Sequence, residues 1–259
     1  MATVHTLAPN LNPEGRTKEV QLAALDWIYR FGSTTRAFLL NDLFSPEESR
    51  DLDRTLFAQG WVRSLPCGIR EGKKGKNKPE AVLVLTEKGL KMILDRYPQP
   101  FPYPEMNWEE CQDPRVNERI WTQKLTAANY HAGGIAQFWT RRMFAEDDYP
   151  YPDMEWAMRD GRMLAINVDN GDCFAARHKT CVALCQRERL ARRYDREVLI
   201  ADQYEIIDDY HQRLKPGFLL PVWEDDPKDF VPVEQIQVPD LHHRLLVFLS
   251  DPWGEVLVS

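Results

Sequence analysis

The groups best able to do chemistry are gathered between Tyr151 and Asp169, where Asp153, Glu155, Asn167 and Asp169 stand in two short segments joined by Arg159, Asp160 and Gly161. Their register decides whether they act together. Trp156 and Met158 hold even positions on the first segment, and Leu164, Ile166 and Val168 hold even positions on the second. A two-residue Asp-Gly turn would set evens opposite odds and spoil both faces of a hairpin. A three-residue loop of Arg159, Asp160 and Gly161 keeps the apolar evens together and gives Gly161 the left-handed position, where a side chain costs most. With that loop Asp153 faces Asn167, Asp169 lies one diagonal step away, and all four polar residues share the other face. Carboxylates gathered in this way repel one another unless a divalent cation or a basic side chain lies between them. Oxygen donors of this kind suit Mg²⁺ or Mn²⁺. The competing reading is a polar face turned to solvent; against it stands the poor strand propensity of Asp and Asn.

Two strands, Met154 to Met158 and Met163 to Val168, must hold these residues, and a long helix from about Phe174 to Arg193 follows them. A strand at Glu197 to Ala201 and a helix near Tyr204 to Leu214 come next. Two or three strands lie within Phe218 to Trp223 and Leu245 to Ser259, the last pair turning at Asp251 to Gly254. Ahead of the hairpin, Asn117 to Phe144 reads as one or two helices broken near Gly133 and Gly134. This order predicts an α/β (α+β) domain on a mixed sheet over residues 117–259. Residues 99–116 read as a linker, because Pro98, Pro100, Pro102 and Pro104 make a stiff, extended stretch.

Residues 17–98 form a separate domain in this reading, preceded by a polar, flexible tail over 1–16. Val20, Leu22, Leu25, Ile28 and Tyr29 recur at helical spacing until Gly32. Ser33, Thr34 or Thr35 caps a short second helix with Ala37, Phe38, Leu39, Leu43 and Phe44. Ser45, Pro46, Glu47 and Glu48 open a third helix through Leu52 and Leu56 to Gly60. Strands at Trp61-Val62 and Ala81 to Leu85 flank a flexible basic loop from Arg70 to Pro79, and Thr86 to Leu94 closes the domain as a helix. Lys73, Lys74, Lys76 and Lys78 on the loop, with Arg50 and Arg54 on the third helix, are the candidate contacts to a DNA backbone. Glu47, Glu48, Asp51 and Asp53 on that helix leave its outer face nearly neutral.

Three helices, a hairpin with a basic tip and a closing helix resemble the winged helix-turn-helix fold. Gly60-Trp61-Val62 before the wing and Leu85-Thr86-Glu87-Lys88-Gly89-Leu90 after it are similar to that family's text. Pro152-Asp153, a hairpin, acidic positions two residues apart and a long basic helix resemble the PD-(D/E)xK nuclease core. A winged helix joined to such a core is similar to the MOBC-type plasmid relaxases and the related replication-relaxation proteins; Leu125 and His131 on the preceding helix add to the likeness. The resemblance implies that the first domain engages a plasmid origin of transfer. It implies that the second nicks or relaxes DNA, with Asp153 and Asp169 holding Mg²⁺ or Mn²⁺ for water attack on a phosphodiester. Partners would be double-stranded DNA and other mobilisation or replication proteins.

The chain departs from that family where a glutamate is usual. Asn167 offers a carbonyl without charge, and Asp169 stands two residues on in place of lysine or glutamate. The catalytic set is then Asp153, Asn167, Asp169 and Lys179, the lysine orienting water or neutralising the leaving phosphate, with Arg177 beside it and Glu118 as an added metal ligand. A degenerate site predicts weaker metal affinity and, as the rival function, a non-catalytic protein that binds DNA or recruits a partner. A winged-helix transcription regulator is a third reading. Cys181 and Cys185, four residues apart near His178 and Cys173, fit one buried helix stripe better than a zinc site. Arg187, Arg189, Arg192, Arg193 and Arg196 cluster at the helix end, where they could meet phosphates or the helix dipole. Tyr130, Tyr149 and Tyr151 fit packing better than covalent nicking.

The 259 residues are 43% hydrophobic and 28% charged, ordinary globular values. Residues 1–98 carry a net +3 and the remainder −10; an acidic second part repels phosphate unless a cation intervenes. No apolar run approaches the roughly 18 residues of a membrane span, and a secretory signal is not evident, so a cytoplasmic protein with free thiols at its five cysteines and no membrane insertion is expected.

Overall fold

A computed structural model describes residues 13–67, 81–103, 115–144, 149–171, 174–190, 193–223, 232 and 234–250. The chain is mixed α/β and divides into two units, Met1–His131 and Ala132–Ser259. No helix among the described residues is long and apolar enough to cross a membrane.

The first unit begins with α1 (Pro13–Phe31), so the helix reaches back into residues that the sequence assigned to a tail. Proline suits the first turn, whose N–H groups have no helical partner. Val20, Ala24, Leu25, Ile28 and Phe31 form its buried stripe, and Gly32 at φ 84° ends it. Thr34 pairs with Leu83 through two backbone hydrogen bonds of 3.0 and 2.7 Å, a one-residue strand that turns the chain into the next helix. The Thr35 side chain caps α2 (Arg36–Phe38), which runs into a π-helical turn over Leu39–Leu43. Ser45 and Glu48 exchange the hydrogen bonds of a capping box, yet the turn they open does not continue as one helix. Asp51 adopts φ 58°, and α3 (Leu52–Ala58) starts after it. β1 (Val62–Pro66) and β2 (Ala81–Leu85) pair antiparallel, Val62 opposite Leu85. Thr86 caps α4 (Glu87–Leu94) by accepting from the Gly89 N–H at 3.1 Å. Gly89 is obligatory because a Cβ there would stand 2.0 Å from the Trp61 carbonyl oxygen.

The described part of the proline segment is docked. Phe101 stacks on Tyr29 at 4.2 Å, and the Tyr103 hydroxyl donates to the Gly32 carbonyl while accepting from the Leu85 N–H. α5 (Arg115–His131), assigned by sequence to the second domain, belongs to the first unit. The Gln123 amide explains why: its oxygen accepts from the Trp27 indole and its nitrogen donates to the Ser33 carbonyl, both at 2.9 Å, satisfying groups buried under α1. Val116 and Ile120 pack with Cys67, Val82 and Val84.

The second unit is built on a five-stranded mixed sheet in which Ile135–Thr140, Met154–Met158, Met163–Asp169, Arg196–Ala201 and Leu245–Leu249 lie side by side in that order. Gly133 at φ 79° breaks the helix, and Ile135–Thr140 forms the strand β3 where the sequence suggested more helix; buried Ile135 and Phe138 favour the pleated surface. β4 (Met154–Met158) and β5 (Met163–Asp169) pair antiparallel with Trp156 opposite Leu164, the register set by the three-residue loop, and Gly161 has φ 89°. α6 (Phe174–Arg189) crosses to β6 (Arg196–Ala201), parallel to β5. α7 (Tyr204–Arg213) and the hairpin β7 (Leu219–Val222) and β8 (Glu234–Gln237) precede β9 (Leu245–Leu249), parallel to β6. The odd-numbered face lies under α6 and α7, where Cys181, Leu184 and Cys185 pack with Leu199, Ala201, Ile206 and Tyr210. Residues 251–254, expected to turn between strands, lie outside the described residues.

Candidate functional site

The odd face of the hairpin is buried. Glu155, Asn167 and Asp169 are 1%, 4% and 5% exposed, so the polar residues are not a solvated surface. Burial of this much polarity requires partners for each oxygen, and Arg177 and Arg187 on α6 supply two of them, with Arg193, Tyr194, Tyr210 and the Gly171 N–H supplying the others.

Asp153, just ahead of β4, accepts the Val168 N–H at 2.9 Å. Burial raises its carboxyl above the ordinary range, and the nearby Asp169 adds to this; the Val168 N–H, Arg141 and Arg187 act against it without reversing the direction. Asp169, at the end of β5, has both oxygens engaged. Oδ1 accepts from the Gly171 N–H at 2.7 Å, and Oδ2 accepts from Arg177 Nε at 2.9 Å and the Tyr210 hydroxyl at 3.0 Å. Arg177 also donates to Asp209 at 3.0 Å, and Arg213 closes the chain on Asp209 at 2.9 Å. Burial would raise Asp209, but the two arginines outweigh it and hold the carboxyl below its ordinary value.

Arg187 is the centre of the face. Its Nε and Nη2 form a fork on Glu197 at 3.0 and 2.9 Å, Nη2 also donates to Asn167 Oδ1 at 3.2 Å, and Nη1 donates to the Pro150 carbonyl at 2.7 Å. The side chains of both charged partners are almost wholly buried. Parity explains the meeting: β6 is parallel to β5 with Glu197 beside Ala165, which places Glu197 on the face that carries Asn167. The sequence reading treated Arg187 as a surface cation and Glu197 as a strand end. An odd-numbered acid in the neighbouring strand, on the same face as the buried odd-numbered Asn167, was the signal that could have joined them.

The structure brings Asp153, Asn167 and Asp169 to one face, and the other expected residues stand on other elements or outside the described residues. Lys179 is exposed on α6, two residues beyond Arg177 and turned about 200° from it around the helix; the α6 side chains that bond Asp169 and Asn167 are Arg177 and Arg187. Glu118 lies on α5 in the first unit, where its carbonyl accepts from Thr122. Arg50 is exposed in the turn before α3, and Arg54 is exposed beside Asp51 at 3.6 Å. Lys73, Lys74, Lys76 and Lys78 lie outside the described residues, as do Cys111, Cys173 and Arg192. Cys181 and Cys185 are core residues, their thiols pushed up to about 12 and about 11 by burial.

The donor set does not fit a hard divalent cation. Mg²⁺ and Mn²⁺ require several oxygens converging in octahedral geometry, whereas both Asp169 oxygens and Asn167 Oδ1 already accept from N–H or O–H donors. Among the described residues no group of three or more His, Cys, Asp or Glu side chains is placed to hold a metal ion. What the arrangement does is neutralise a buried acidic sheet with internal guanidinium groups. Comparison with family models, curated proteins and solved structures finds no match to the chain.

Proposed function

We propose that the chain is a DNA-associated protein of a plasmid or mobile element, similar in plan to the winged-helix and PD-(D/E)xK-like proteins, whose second unit is a degenerate, non-catalytic scaffold for DNA binding or partner recruitment. The observation that carries the reading is the Arg187 fork on Glu197 with its third contact to Asn167. A guanidinium takes the place among the acids that a metal-dependent nuclease would leave to an ion, and Arg177 does the same for Asp169. In the first unit, the order α1, Thr34 bridge, α2, α3, β1, β2 supports a winged helix. In the second, three antiparallel strands followed by a helical crossover to a parallel fourth support the nuclease-like plan. Basic residues of the first unit, Arg50, Arg54 and the four lysines of residues 73–78, would supply sequence-independent affinity for phosphates.

The test measures duplex binding, nicking of supercoiled plasmid and the Mn²⁺ dependence of the melting temperature on wild type, Asp153→Ala and Asn167→Glu. Salt-dependent duplex binding by wild type, with nicking at background and no Mn²⁺ shift in any protein, is the expected result. Mn²⁺-dependent nicking by wild type that Asp153→Ala abolishes would overturn the scaffold reading and restore the metal nuclease.

A further inference from the structure

Four aromatic rings crowd one guanidinium on the second unit. Arg193 Cζ lies 5.4 Å from the ring centres of Phe144 and Tyr151, 5.8 Å from Tyr149 and 5.9 Å from Tyr194. Phe144 and Tyr151 stack 4.1 Å apart with 4° between their planes, and Tyr149 tilts against Tyr151 at 4.7 Å. Because Phe144 and Tyr151 stack on each other and lie equally far from Cζ, they flank the guanidinium as a pair, and what the four rings supply is an apolar wall around the cation. The floor is Glu155 on β4: Arg193 Nε lies 3.0 Å from Oε1, Nη2 donates to Oε2 at 3.0 Å, and the Tyr194 hydroxyl donates to Oε1.

The two partners of this ion pair differ in exposure. The Glu155 side chain is 2% exposed and that of Arg193 is 42% exposed, so the carboxylate belongs to the sheet while the guanidinium reaches it from the solvent side. Arg193 itself stands in the connection between α6 and β6, outside either element. An aromatic enclosure with a buried, two-oxygen acid at its base and an opening to water has the recognition chemistry of a cation site. Its occupant here is supplied by the same chain.

We propose that this cage is a guanidinium-binding site that Arg193 fills in the free protein and that an arginine side chain of a partner protein can take over. The choice of arginine follows from the floor. Two carboxylate oxygens facing one fork match the planar donors of a guanidinium, while an ammonium offers a single point of contact and a trimethylammonium has no N–H for either buried oxygen. The inference is independent of the nucleic-acid reading, since it uses neither the first unit nor any contact of Arg187.

The probe is acetyl-arginine N-methylamide, compared with acetyl-lysine N-methylamide and its trimethyl form, on full-length wild type, Arg193→Ala and Arg193→Lys. Removing the guanidinium strands the Glu155 carboxylate, so Arg193→Ala should melt lower and recover with millimolar arginine probe but not with either lysine compound. Arg193→Lys keeps a positive charge beside Glu155 and covers the case in which the alanine variant does not fold; it should bind the arginine probe at least about tenfold more tightly than wild type, whose tethered occupant competes. In wild type, saturating probe should move the Arg193 Nε–H resonance toward that of a free arginine. An arginine probe that binds neither variant better than the lysine compounds overturns the site. An Arg193 resonance that stays in place at saturating probe overturns the exchange and leaves Arg193 as an internal brace.

Discussion

Replacing Arg187 with Met removes a buried cation and leaves Glu197 with no donor on either oxygen that Arg187 served. The guanidinium makes two hydrogen bonds to Glu197, one to Asn167 and one to the Pro150 carbonyl, all in a region where the two charged side chains are 1% and 3% exposed. Breaking a buried pair from one side costs about 3–5 kcal/mol, because the remaining charge is uncompensated. For a unit of roughly 130 residues each kcal/mol lowers the melting temperature by about 4 °C, so the single variant should melt about 12–20 °C lower. The double variant Arg187→Met, Glu197→Leu carries no stranded charge. Only the Pro150 and Asn167 oxygens lose a donor, at about 1 kcal/mol each, so its loss is about 2 kcal/mol and smaller than that of the single variant. Urea unfolding, followed through hydrogen exchange of the β5 amides, reads the second unit directly. A single variant that loses less than about 1 kcal/mol, or a double variant no more stable than the single, would refute the reasoning that this ion pair holds the acidic face together.

Gly89→Ala should destabilise the first unit by about 2 kcal/mol or more, since its Cβ meets the Trp61 carbonyl at 2.0 Å; Gly60→Ala, with φ 64° and open space around it, should lose only about 1–2 kcal/mol from backbone strain, and urea melts of the two separate steric overlap from strain. Burial holds the His178 imidazole below its ordinary value of 6.5, with the Arg213 charge acting the same way and the Pro221 carbonyl opposing. The unfolded chain then binds the proton more readily, so the stability His178 contributes is present above about pH 6.5 and is lost as the pH falls below it; His178→Gln, which can still donate to Pro221, should flatten that part of the melting-temperature profile between about pH 7 and 5. Asp153 has the opposite sign: its raised carboxyl favours the protonated form in the fold, so its contribution is present at acid pH and lost as the pH rises through the folded value. Asp153→Asn keeps an acceptor for the Val168 N–H without the charge and should be at least as stable as wild type at about pH 7, the difference shrinking toward about pH 3.5 in thermal melts.

The pattern along the chain determined much of what depends on near neighbours, though not the break between Ser45 and Leu52 or the strand β3. Even-numbered Trp156, Leu164 and Ile166 selected the register of β4 and β5, Gly161 took the left-handed loop position, Thr86 capped α4, and Asp153, Asn167 and Asp169 fell on one face, because side chains alternate along a strand whatever packs against it. What covers that face was not legible. Arg187 meets Glu197 ten residues away across a helix-to-strand crossover, and Asp169 meets Tyr210 across 41 residues; nothing local distinguishes these arginines and acids from solvated ones. The same limit misplaced α5, whose Gln123 binds groups 90 and 96 residues earlier, and it let Arg193 pass for one member of a surface cluster when four rings and a buried acid hold it. Spacing and parity state which side of an element a residue occupies. Only the packed tertiary structure decides whether that side meets water, an ion or an arginine from the next helix, because desolvation makes each buried charge depend on a partner that the chain brings from far away.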